Sequence, residues 1–224
     1  MRKMIFMSHP LNEATPSYGD RDRLSITPKS EIKDGEGANT STIHFSNNHM
    51  GTHFDSPYHF CSDGRKTLDY GADEFYYNQV AVVQHPCTEA VLIKRADLNF
   101  DSVPKDVDFL FIDTKFEAYR DQDKYHNDNP GLDASLADDL RNEFPNLKAV
   151  GFDFISLTSW KFRPEGREGH RAFLCGERPL LVIEDVSFAA LNGSEIEWIV
   201  VAPLRTEDGN GGPVTIMASI KEEN

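Results

Sequence analysis

Residues 47 to 60 read NNHMGTHFDSPYHF, and His49, His53, Asp55 and His59 stand within eleven positions of one another in that stretch. Imidazole nitrogens joined by a hard carboxylate oxygen are the ligand types that suit zinc or manganese. An ion held by three protein groups keeps positions open for water and substrate, brings the water's pKa toward neutrality and polarises a carbonyl. That is the chemistry of metal-assisted hydrolysis. A further imidazole beside the ion, with an ordinary pKa near ~6.5, can take the water's proton and return it to the leaving atom.

Spacing decides whether the four side chains can meet. On a helix His49 and His53 would share a face, but Asp55 would sit about 240° around from His49, and Gly51, Thr52 and Pro57 all disfavour helix. On a strand the odd-numbered residues project to one side, so all four point the same way. A straight strand would still hold His49 about 13 Å from His53 at ~3.3 Å per residue, so the chain must bend between them. Gly51 lies at the midpoint, where a bulge or a positive φ is free of steric cost. Pro57 would then end the strand and turn His59 toward the same cavity. The remaining histidines His9, His44, His85 and His126 show no such grouping. Three imidazoles and a carboxylate on one parity would be costly to assemble without a cation, because a partly buried carboxylate must be compensated.

The elements that must position these groups are short. Apolar runs rich in β-branched and aromatic residues (KMIFMS, STIHFS, QVAVVQ, AVLIK, DFLFIDT, AVGFDF, PLLVIED, IEWIVVA and PVTIMASI) read as strands, and several are continuously apolar, as in a sheet covered on both faces. PGLDASLADDLRNEF predicts a helix, with Leu132, Leu136, Leu140 and Phe144 recurring every four residues. DVSFAALNG predicts a second, short helix ending at Gly193. Residues 29–40, 117–129 and 205–213 read as linkers, and TSWKFRPEGREGH as a long loop able to reshape the pocket. None of these separates two halves with cores of their own, so residues 1–224 are expected to form one α/β domain with a mixed sheet.

Bulk properties bound the partners. With 39% hydrophobic residues, 224 positions suffice for a full core. The formal charge of −14, from 37 acidic and 23 basic residues, excludes nucleic acid and anionic membrane as favoured partners. No apolar run approaches the ~20 residues needed to span a bilayer, and Met4 to Met7 is too short for a signal-peptide core. Cys61, Cys87 and Cys175 are an odd, sparse set, which predicts no disulfide framework, a packing role for Cys61 and a cytoplasmic location. Phe54, Tyr58, Phe60, Trp160 and Phe162 are candidate walls for a planar substrate. Even parity favours core packing for Tyr58 and Phe60.

The pattern His49-x-Gly51-Thr52-His53-x-Asp55-x-Pro57-x-His59-Phe60 resembles the signature of the cyclase-type metal-dependent hydrolases, the family of bacterial kynurenine formamidase and isatin hydrolase. SHPLNEATPSYGD, DNPGLDASLADDLR, AVGFDFIS, GHRAFLCGERPLLVIEDVSFAAL and APLRTEDGNGGPVTIMA resemble its other segments. The resemblance implies that His49, His53 and Asp55 hold a divalent ion, Zn or Mn, and that His59 is the general base or proton shuttle. It implies that His170 and Glu184 complete a second metal site, so that one or two ions bind per chain. Glu184 also has a signal of its own, since it ends the apolar run PLLVI, where a bare carboxylate is expensive. His170 rests on the resemblance alone. Further implications are a mixed, partly closed β-barrel with flanking helices, a role for the first segment and hence Tyr18 in substrate binding beside Phe54 and Trp160, and assembly as a homodimer or homotetramer. The expected function is hydrolysis of a small amide, such as the arylformamide N-formylkynurenine of tryptophan catabolism, or of a cyclic amide or lactone. The alternatives are a hydrolase or dehydratase of the same family on a non-aromatic substrate, or a metal-dependent binding protein that turns nothing over.

Overall fold

The apolar runs of the sequence fold as strands, and the computed structural model describes residues 2–221. In chain order the strands are β1 (Arg2–Phe6), β2 (Leu24–Ser30), β3 (Thr40–Phe45), β4 (His53–Asp55), β5 (Tyr76–Tyr77), β6 (Val80–Gln84), β7 (Leu92–Ile93), β8 (Phe109–Asp113), β9 (Gly131–Leu132), β10 (Ala149–Phe152), β11 (Leu181–Glu184), β12 (Ile196–Pro203) and β13 (Gly211–Lys221). The helices are α1 (Asp123–Asn127), α2 (Ser135–Glu143) and α3 (Arg163–Leu174).

The main sheet runs β5-β12-β13-β4-β11-β10-β8-β6, with β1 also paired to β13. Strands β6, β8, β10 and β11 are parallel, and β4, β13, β12 and β5 continue the sheet antiparallel. Its far ends approach each other where β6 lies beside β12, giving a mixed, nearly closed barrel. Strand β8 shows why the parallel half is apolar throughout. Phe109 and Phe111 point into the barrel with Phe54, Tyr77, Ile183 and Ile199, whereas Leu110 and Ile112 point outward to the core under α2 with Leu136, Leu140, Val150 and Val182. Each such fully buried side chain contributes roughly 1.5–3 kcal/mol, and β4 and β11 are locked between the two layers.

Four expectations are corrected. DVSFAALNG is not a helix: the backbone of Val186 is committed to a bridge with Ser8, and Asp185 and Asn192 adopt positive φ, so the segment proceeds as turns. TSWKFRPEGREGH is not all loop, because α3 begins at Arg163 with Pro164 in its first turn, where proline's missing N–H costs nothing. Gly166 and Gly169 depress the helical signal, yet a Cβ at Gly166 would meet Thr158 at 2.6 Å, so the glycine lets α3 lie directly on that segment. The stretch 29–40 is partly an exposed hairpin, in which β2 pairs with β3. Finally, Cys61 is not merely packed, since it forms a disulfide with Cys175, and the argument from unpaired cysteines to a reducing compartment falls away. No helix among the described residues is long and apolar enough to cross a membrane.

Candidate metal centre

Strand β4 sits between β11 and β13, with His53 opposite Glu184 on one side and opposite Pro213 on the other. Alternation along β4 sends His53 and Asp55 to one face and Phe54 to the other. Phe54 is therefore not a pocket wall: it is fully buried in the barrel against Phe75. The chain bends at Gly51, whose φ is +66° and where a Cβ would strike Leu11 at 2.5 Å. Pro57 opens a 3-10 turn over Pro57–His59 that swings His59 back. The four odd-numbered side chains converge as a result. His49 Nδ1 lies 2.7 Å from Asp55 Oδ1, His53 Nε2 lies 3.6 Å from the same oxygen, and the rings of His49 and His59 stack with centroids 4.0 Å apart.

Two distant elements complete the cluster. Strand β11 delivers Glu184, whose Oε2 is 3.3 Å from His53 Nε2, and α3 delivers His170, whose Nε2 is 3.3 Å from Asp55 Oδ2 and 3.4 Å from Glu184 Oε1. Single ligand atoms of His49, Asp55 and His59 lie within 4.8 Å of one another, and so do those of Asp55, His170 and Glu184. Asp55 thus belongs to both triads, and His59 stands among the ligand groups instead of apart from them.

Hydrogen bonds orient these rings. His53 Nδ1 donates to the Gly51 carbonyl at 2.8 Å, and His170 Nδ1 to the Gly166 carbonyl at 3.0 Å, so each presents Nε2 to the carboxylates. His49 is turned the other way: its Nε2 donates to Asn210 Oδ1 at 3.0 Å, leaving Nδ1 for Asp55. Partners of this kind fix the tautomer and aim of metal-ligating imidazoles. Glu184 Oε1 accepts from the Leu157 amide at 2.7 Å. Asp55 Oδ2, by contrast, is buried with no hydrogen bond. An orphaned carboxylate oxygen facing imidazole nitrogens whose outer atoms are already tied down fits a divalent cation of the zinc or manganese type.

In the metal-free cluster the carboxylates and imidazoles set one another's protonation. Burial disfavours charge on His53, but Glu184 and then Asp55 outweigh it and hold the ring at about 9. Burial likewise opposes charge on His170, and Asp55 with Glu184 raises it to about 10. Burial works against ionised Asp55, yet the surrounding histidines, led by His59, keep its carboxyl well below the usual range. Glu184 is also lowered, with burial and Asp55 opposing and His170 and His53 prevailing. His59 goes the other way: burial dominates and takes it down to about 4.

The cluster floors a cavity of about 370 Å³. Tyr18 lines it, whereas Trp160, expected to touch substrate, is not among the lining residues and packs edge-on against Tyr18 at 5.0 Å. Phe60, expected in the core, borders both: it is half-buried, lines the cavity and stacks on His170 at 4.4 Å. Residues the sequence did not single out also appear, namely Asn210 behind His49 and Arg21, Arg163 and Arg167 around the mouth. Asn210 lies in the stretch 205–213, where glycines read as linker. Arginines spaced four apart would have drawn notice only had α3 been recognised as a helix.

Comparison with known proteins follows the same outline. A family model described as Putative cyclase matches residues 5–158. A kynurenine formamidase of Bacillus cytotoxicus is 24% identical over 215 residues, covering 94% of each chain. Isatin hydrolase A of Labrenzia aggregata superposes with a TM-score of 0.77 at 18% identity, over 99% of this chain and 94% of that one. A structure described as a potential metal-dependent hydrolase with cyclase activity gives a TM-score of 0.74 at 18% identity, each chain being covered in full.

Proposed function

The chain belongs to the putative cyclase family, and from that premise we propose that it is a metal-dependent hydrolase cleaving a small amide, an arylformamide of the N-formylkynurenine kind, or a cyclic amide or lactone. A divalent ion held by His49, His53 and Asp55, with a second at Asp55, His170 and Glu184, would acidify water and polarise the carbonyl. The chain's own part is to aim, to move a proton and to exclude solvent. His53 and His170 are locked through Nδ1, so neither can carry a proton away without breaking a backbone contact.

One observation carries the reading: the His59 ring lines the cavity and is the single imidazole of the cluster with no hydrogen bond among the described residues. A neutral, unpartnered base facing the cavity can accept a proton from attacking water and hand it to the departing nitrogen or oxygen. Tyr18 and Phe60 offer aromatic faces to a planar substrate, and Trp160 backs the first of them. Catalysis of this type from one positioned base contributes about 10²–10⁴-fold.

The reading extends to assembly as a dimer or tetramer. Its support is the hairpin β2–β3, where Ile26 pairs with Ile43 at 37% and 57% exposure, and light scattering reads the assembly directly.

The deciding experiment loads purified protein with zinc or manganese and offers N-formyl aryl amines, isatin-like cyclic amides and simple lactones. Turnover of one class, lost by at least ~10²-fold in His59→Ala while ion content is kept at His49, His53, Asp55, His170 and Glu184, supports the proposal. Stoichiometric ion uptake with no turnover of any class leaves a binding protein instead.

A further inference from the structure

The cavity over the metal centre is acidic at its floor and basic at its mouth. Arg163 and Arg167 stand one turn apart on α3, Arg21 comes from the segment after Tyr18, and all three line the cavity above Asp55 and Glu184. In a chain with 37 acidic residues such a convergence runs against the overall charge. Several other arginines find carboxylates, as Arg23 does with Asp20, Arg65 with Glu74, Arg95 with Glu143 and Arg120 with Asp185. Arg21, Arg163 and Arg167 make no ion pair among the described residues. Asp22 lines the same cavity, but its oxygens accept from the Ser46 hydroxyl and the Asn47 amide.

Aromatic rings hold two of these cations in place. The Arg21 guanidinium lies 5.6 Å from the Trp160 ring and 5.7 Å from that of Tyr18, and the Arg163 guanidinium lies 4.9 Å from Trp160. Cation–π contact positions the groups without neutralising them. Two like charges on one indole repel each other, and an anion received between them removes that repulsion while accepting paired N–H donors.

Resting on the hydrolase reading above, we propose that the substrate bears a carboxylate remote from the bond cleaved, and that Arg163 and Arg167, assisted by Arg21, receive it. These arginines are specificity determinants among the amides and lactones named above, favouring those that carry such a carboxylate. A monoanion suits the site better than a phosphate, because Asp22, Asp55 and Glu184 share the cavity and each further negative charge meets them.

The test pairs N-formyl-4-aminobenzoate, whose carboxylate lies across the ring from the amide, with N-formylaniline on the metal-loaded enzyme. The ratio of their kcat/KM values is expected to fall by roughly tenfold to hundredfold in Arg163→Gln/Arg167→Gln, chiefly through KM, and to fall in wild type as salt is raised. An unchanged ratio overturns the proposal. Failure of the hydrolase reading appears differently, as no turnover of either amide at any metal loading. Calorimetry with 4-aminobenzoate then decides: binding at least ~10-fold weaker in the double variant upholds the arginine site, and equal affinity overturns it.

Discussion

His53 and Glu184 stand directly opposite each other on the antiparallel strands β4 and β11, with Nε2 of the one 3.3 Å from Oε2 of the other. The pairing ties ligand geometry to strand register. A slip of one residue would bring Phe54 or Ile183 to the cluster and send the polar groups into the barrel core. Burying an imidazolium and a carboxylate is costly, and each depends on the other.

Glu184→Gln is therefore expected to act twice. It should destabilise the metal-free protein by about 3–5 kcal/mol, the usual consequence of leaving one member of a buried pair behind. It should also abolish ion binding at the Asp55–His170–Glu184 triad. Urea unfolding and elemental analysis read the two effects separately. A variant with wild-type stability and full ion content would contradict the coupling.

The same groups set a pH dependence. His53 and His170, held at about 9 and about 10, lie above the ~6.5 of an unfolded imidazole. Their contribution to stability is complete below pH ~6.5 and lost as pH climbs through 9 to 10. Asp55 and Glu184 are depressed, so theirs is present above pH ~4 and lost on acidification. His59, lowered to about 4, opposes folding increasingly as pH drops below ~6.5. Metal-free protein should thus lose Tm between pH 6.5 and 10, whereas the gain in Tm on adding zinc should grow over that range, because an ion requires neutral imidazoles. A metal-free Tm that climbs steadily with pH would refute this assignment.

Much of the centre was legible because its signal is local. The parity of His49, His53, Asp55 and His59, with Gly51 at the bend and Pro57 at the turn, needs only the period of a strand and the φ of two residues. Glu184 was legible from the apolar run it ends. His170 was not, since its helix carries Gly166 and Gly169, and the packing on Thr158 that makes those glycines useful is tertiary. Phe54 was misplaced by treating aromatics near the motif as walls when its even parity already sent it to the other face. Asn210 was masked by a glycine-rich sequence whose last residues pair with β4.

Asn210→Ala isolates the orienting contact on His49. Its side chain accepts from both His49 Nε2 and Asn48 Nδ2, at 3.0 and 2.8 Å. Without it the His49 ring is free to rotate, and ion affinity is expected to fall about 10–100-fold. The fold should be intact because Asn210 is only half-buried. Competition with a chelator measures the affinity, and an unchanged value would mean that Asp55 alone orients the ring.

The Cys61–Cys175 bond joins the two parts of the site that backbone pairing does not connect. Cys61 follows the turn carrying His59 and Phe60, and Cys175 caps the helix carrying His170, 114 residues away in sequence. Its removal in Cys61→Ala/Cys175→Ala should lower stability by about 2–4 kcal/mol, and Tm on the order of 10 °C. The loss should not be confined to stability. His49, His53 and Asp55 all precede Cys61, with the latter two held by strand pairing, and should still bind their ion, but the Phe60–His170 stack and the His59–His170 approach both cross the disulfide. Turnover is therefore expected to fall at temperatures well below the new melting point, with the ion at His49, His53 and Asp55 retained. Equal kcat in the oxidised protein and the double variant, measured where both are folded, would restrict the bond to a purely structural role.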